Sequence, residues 1–147
     1  MTDYNSIDFT PLIEASADEV ITESFVRDVT LPTGGTLALI TLDHGRDHTR
    51  PNTLGPRTLP GLAAVLDALP ARAAAGEIAA VAITGKPFIF AAGADLSKVQ
   101  ALGTRENALL MAQYGHHVLG KLHTLGVPSF AFVNGLALGG AMEIALH

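Results

Sequence analysis

The sequence predicts an α/β fold, and three observations carry that prediction. TLALITL (Thr36 to Leu42), IAAVAIT (Ile78 to Thr84) and SFAFV (Ser129 to Val133) are short runs that are apolar on both faces, as in strands covered on both sides of a sheet. Between them lie segments whose apolar residues recur at helical spacing. Twice the chain runs strand, small-residue turn, helix, at FIFAAGADLSKVQ and at SFAFVNGLALGGAMEIALH.

Residues 1–20 carry no strong period and read as an N-terminal extension before a domain over residues 21–147. Val20 to Leu31 is β-branched and mixed in polarity, which suggests a strand or strand pair. Pro32-Thr33-Gly34-Gly35 turns the chain into the first buried strand. Asp43 to Pro56 is polar, rich in Gly and Pro and long for a simple turn, the profile of a functional or unstructured loop. Leu59, Leu62, Leu66 and Leu69 place a helix ending near Gly76, with a kink at Pro70. Gly85-Lys86-Pro87 is a short turn after the second buried strand. A longer helix is expected across Arg105 to Leu125, with Leu109, Leu110, Val118, Leu119 and Leu122 as its apolar positions. The last helix opens near Gly140 and runs barely two turns to His147 without a glycine cap or proline stop, so it is expected to continue.

Composition narrows the function classes. At 147 residues the chain can bury a real core. It is 48% hydrophobic but only 5% aromatic, so Ala, Leu, Val and Ile must build that core. Charged residues make up 16%, against roughly a quarter in ordinary domains; burial against further chain or other subunits is expected. A net charge of -5 without a basic patch argues against a nucleic-acid partner. The absence of cysteine excludes disulfides and thiolate metal sites. MTDYNSIDFTPLIEAS lacks the basic start and apolar run of a signal peptide, and no run reaches the ~18 apolar residues of a membrane span. The expected location is cytoplasmic, with no membrane partner.

The chemistry is expected in the two glycine turns. Small residues let backbone approach a ligand closely, and a helix start leaves several N–H groups without partners. Two such starts side by side would aim a pair of donors at one oxygen, as in an oxyanion hole, where losing one donor typically costs ~2.7–4 kcal/mol of barrier. Spacing alone leaves open whether the turns converge.

FAAGADL (Phe90 to Leu96) and NGLALGGAMEIAL (Asn134 to Leu146) resemble, in order and separation, the two signature segments of the enoyl-CoA hydratase/isomerase (crotonase) superfamily. TLALITL, the loop holding Arg50-Pro51-Asn52, and IAAVAIT with Thr84-Gly85 resemble the family's first units. The resemblance covers about residues 36 to 147, the first part of a family catalytic domain. It implies a spiral of repeated ββα units, incomplete at the C-terminus. It also implies that the N–H groups of Ala94 and Gly140 hold the thioester oxygen and that Glu143 is a general acid/base. Ala92, Gly93, Asp95, Leu96 and Gly139 would bind substrate, and Lys98, displaced by one position, is the candidate for the coenzyme A phosphates.

The implied substrate is an acyl-CoA thioester, with coenzyme A as part of the substrate, no separate cofactor and no metal. The leading expectation is an enoyl-CoA hydratase of fatty-acid β-oxidation, adding water to trans-2-enoyl-CoA through an enolate. A same-fold isomerase or acyl-CoA hydrolase is the alternative, and a non-catalytic coenzyme A-binding or assembly fragment is the reading from another class. The second glutamate of hydratases would fall beyond His147, and the Asp43–Pro56 loop carries extra residues, HGRDHT. A homo-oligomer, trimer or hexamer, is expected of the full-length protein.

Plainer roles are expected elsewhere. Asp95 reads as a helix-start residue. His44 and His48, spaced i, i+4, read as loop histidines because Gly45 and Pro51 oppose a helix and no third ligand is apparent. His116 and His117 read as polar-face or packing residues of the long helix. NGLALGG lacks the order of a dinucleotide fingerprint, and no G-x-S-x-G elbow occurs.

Overall fold

The structure is a computed structural model, and it describes residues 7–95 and 102–147. Strand β1 (Glu23–Thr30) pairs antiparallel with β2 (Thr36–Asp43), β2 pairs parallel with β3 (Ala80–Gly85), and β3 pairs parallel with β5 (Ser129–Phe132). A second sheet holds two parallel strands, β4 (Phe88–Ala91) and β6 (Gly135–Ala137). Helices α1 (Thr10–Ala15), α2 (Leu59–Ala74), α3 (Arg105–Gly120) and α4 (Gly140–Leu146) accompany them, α3 running into a 3-10 turn at Lys121–Thr124. The two ββα passages, β1–β2–α2 and β3–β4–α3, are the α/β repeats read from the sequence.

The core lies between one face of the larger sheet and the helices. Ala38, Ile40 and Leu42 of β2 and Val81 and Ile83 of β3 meet Leu59, Leu62, Leu66 and Leu69, all four buried along one stripe of α2. Pro70 does not interrupt α2, which continues to Ala74. Tyr114, Val118 and Leu119 supply the buried face of α3, whereas Leu109, expected inside, is exposed.

Two expectations about the elements are revised. The first described residues hold a helix: α1 buries Leu12 completely, and Phe9 stacks on Tyr114 with centroids 4.2 Å apart. Glu19 then accepts hydrogen bonds from the Arg57 and Thr58 N–H groups (2.7 and 3.0 Å), so a carboxylate distant in sequence satisfies donors at the start of α2 that have no partner within the helix. The other revision is β5, expected to be buried. Among the described residues it lies at the edge of the sheet, and Phe130 and Phe132 are about half exposed. In register with Ala82 and Thr84, they stand on the sheet face opposite α2 and α3. Alternation along a strand sends every second side chain to that face, so an apolar run does not by itself ensure cover on both sides.

Candidate active site

The two glycine turns converge, and the small sheet explains how. Parallel strands finish at the same end of their sheet. Since β4 and β6 are parallel neighbours, the turn after Ala91 and the turn after Ala137 emerge side by side. β6 was not foreseen, because three residues ending in small side chains carry no legible period. Asn134 secures its start, accepting from the Gly85 N–H (3.2 Å) and donating to the Gly85 and Lys86 carbonyls (3.1 and 2.8 Å).

Contact between the turns requires glycine. Gly93 has φ +74°, and a Cβ there would collide with the backbone nitrogen of Gly140 and lie 2.9 Å from the Leu138 carbonyl oxygen. Gly139, immediately before α4, has φ +53°, and its carbonyl accepts the Met142 and Glu143 N–H groups. Glu143 therefore lies in the first turn of α4, three residues after Gly140.

A second frame comes from the loop after β2. Asn52 is fully buried. Its amide nitrogen donates to the Leu42 and Phe90 carbonyls (2.7 and 3.1 Å), and its side-chain oxygen accepts the His44 N–H (3.2 Å). The Asn52 carbonyl accepts the Ala92 N–H (2.8 Å), and the Leu54 N–H donates to the Gly93 carbonyl (2.8 Å). Residues 52–54 thus hold the turn at 92–93. Asn52 entered the sequence reading only as part of a family-like loop; the signal available was a lone amide placed between two apolar strands.

The cleft beside these turns has a volume of about 280 Å³, and Ala94, Gly140 and Glu143 line it together. Its walls are Leu54, Leu59, Leu102 and the side of α3 carrying Met111, Ala112 and His116. An adjoining pocket of about 40 Å³ shares Leu54, Ala94, Leu102 and Met111 and adds Asp95. The Ala94 and Gly140 N–H groups meet no backbone acceptor among the described residues. Two backbone donors and one carboxylate at an apolar cleft can stabilise charge on a carbonyl oxygen while moving a proton beside it.

The remaining expected residues divide. Ala92 and Gly93 form the first turn and Gly139 the second, next to the cleft rather than across it. Leu96 and Lys98 lie outside the described residues, as does the helix start for which Asp95 was read. His44 is in a loop, its Nδ1 accepting the Arg46 N–H and its Nε2 lying 2.7 Å from Lys86 Nζ. Lys86 is 3% exposed and also donates to the Asp47 carbonyl (2.7 Å); burial lowers the pKa of its ammonium, against the opposing pull of Asp43 and Asp47. His117 is also lowered by burial, with Lys121 adding to the effect and Asp67 opposing it. His116, expected as a polar-face or packing residue, is exposed and lines the cleft. No helix among the described residues is long and apolar enough to cross a membrane.

Comparison with known proteins agrees with this architecture. The enoyl-CoA hydratase/isomerase family matches residues 33–147. The fatty acid oxidation complex subunit alpha of Shewanella amazonensis is 37% identical over 110 residues, covering 75% of this chain and 15% of that protein. Among solved structures, Pseudomonas aeruginosa DspI superposes with a TM-score of 0.69 at 32% identity, covering 84% of this chain and 46% of that one. An enoyl-CoA hydratase from Bacillus anthracis gives 0.71 at 25% identity, with 84% and 44% covered. The chain thus spans about half the length of the structures it matches and a smaller share of the fatty acid oxidation subunit. With a family match over most of its length and a crotonase-type α/β fold, the chain belongs to the enoyl-CoA hydratase/isomerase family.

Proposed function

We propose that this chain carries the oxyanion hole and one acid/base residue of an enoyl-CoA hydratase acting in fatty-acid β-oxidation in the cytoplasm. The observation that carries the reading is the convergence of Ala94, Gly140 and Glu143 on one apolar cleft. A thioester carbonyl seated between the Ala94 and Gly140 N–H groups gains negative charge as water adds to the conjugated double bond, and the two fixed donors stabilise the enolate that forms. Glu143, one helical turn from Gly140, takes a proton from the water or returns one to the carbon beside the carbonyl. Similarity to a fatty acid oxidation subunit supports the pathway assignment, and similarity to an enoyl-CoA hydratase structure supports the reaction. Coenzyme A enters as part of the substrate, and no separate cofactor is needed.

The test is hydration of crotonyl-CoA, followed by loss of enoyl absorbance, in this chain and in a form extended beyond His147. Glu143→Gln should lower turnover in the active form by about 100-fold or more while leaving thioester binding nearly intact. Near-normal turnover in that variant would remove Glu143 from the mechanism. Failure of both forms to hydrate crotonyl-CoA, with thioester binding retained, would reject hydration in favour of another thioester reaction.

A further inference from the structure

We infer that His116 reads the acyl group, selecting thioesters whose acyl chain bears a hydrogen-bonding oxygen near the reacting carbons over those with a plain alkyl chain. This rests on the reading of the cleft as an acyl-CoA site. Of the twelve described residues lining it, only Glu143 and His116 carry a charged or strongly polar side chain; the others are Leu, Ala, Gly and Met. Ala108, Met111, Ala112, Gly115, His116 and Leu119 recur at i, i+3 and i+4 along α3, so the helix turns a single stripe toward the cleft. Three of those positions are Ala or Gly, which leaves width for a ligand beside the imidazole.

The position of His116 within the cleft sets what it would meet. The adjoining pocket on the Asp95 side shares Met111, Leu102 and Ala94 with the cleft but not His116, Gly140 or Glu143. His116 therefore belongs to the Glu143 end, where α3 and α4 pack against each other. Its ring is exposed and has no hydrogen bond or ion pair among the described residues, so its donor and acceptor are available to a ligand. A plain alkyl chain would strip water from the imidazole without replacing it, which is unfavourable. A hydroxyl or carbonyl on the acyl chain restores that hydrogen bond, and a net hydrogen bond of this kind corresponds to a preference of about 3- to 10-fold.

Titration calorimetry on the 147-residue chain with 3-hydroxybutyryl-CoA and butyryl-CoA tests this, the two ligands having equal chain lengths and differing by one hydroxyl. The wild type should bind the hydroxy compound about 3- to 10-fold more tightly. His116→Leu should bring the ratio to about one, and His116→Gln, which keeps a donor and an acceptor, should restore most of it. A wild-type ratio near one, or a preference that survives His116→Leu but vanishes in Glu143→Gln, would overturn the assignment to His116. If neither thioester binds more tightly than coenzyme A alone, the acyl-CoA reading of the cleft fails, and this inference fails with it. Circular dichroism of each variant separates loss of selectivity from loss of fold.

Discussion

Gly93 shows how much of the site depends on a single missing side chain. It combines φ +74° with direct backbone contact to Gly140, so Gly93→Ala is strained both in conformation and in space. The expected cost is more than about 1 kcal/mol of stability by urea denaturation, together with loss of thioester binding as the turns separate. Lys86 makes a prediction of a different kind. Burial holds its ammonium below the ordinary value of 10.5, so the native state gives up this proton at lower pH than the unfolded chain does. Between the lowered native value and the ordinary one, the unfolded state binds more protons, and this group's contribution to stability rises with pH. Below the native value both states are charged and the burial penalty is constant. Denaturation midpoints measured as the pH approaches the ordinary value of 10.5 from below should show that rise, and Lys86→Met should flatten it. An unchanged slope in the variant would assign the pH dependence elsewhere.

At the level of elements, the site is made by a pair of short strands and one loop. β4 and β6 bring the turns together, and Asn52 ties the loop after β2 to the strand carrying the first turn. Asn52→Ala would leave the Leu42 and Phe90 carbonyls without these donors and release the His44 N–H. Stranded buried polar groups cost roughly 1–3 kcal/mol each, so the variant should lose at least about 2 kcal/mol, readable in thermal or urea unfolding. The Ala92 contact is made through the Asn52 backbone carbonyl. Any fall in thioester affinity beyond the stability loss would therefore report movement of the whole 52–54 segment. The long loop read as functional or unstructured is a bracing element, held near its start by Lys86 at His44 and Asp47 and near its end by Asn52.

Across the whole molecule, the helices cover one face of the larger sheet, while Phe25, Phe130 and Phe132 stand exposed. The apolar run at Ser129 to Val133 led to the expectation of a buried β5. The register instead places its phenylalanines in line with Ala82 and Thr84 on the face away from the helices. Because Phe132 is already about half exposed, Phe132→Ser should change stability by less than about 0.5 kcal/mol in urea denaturation. A loss of several times that size would mean that this face is covered in solution. The same geometry accounts for the buried Leu12: the first helix docks on α3 because Tyr114 and Phe9 stack, a contact no local period announces.

The sequence by itself determined the α/β class, the main strands and helices, the two glycine turns and their family, because periodicity and motif are local properties of the chain. It also named Ala94, Gly140 and Glu143 as candidates through that family resemblance. Only the tertiary structure decided that the turns share one cleft, that Asn52 braces the first of them, that His116 belongs to the wall and that β5 lies at the edge of the described sheet. Each of these depends on which strands become neighbours and in what register. Pairing between residues tens of positions apart is governed by packing and hydrogen-bond satisfaction across the whole fold, which no local window of sequence contains.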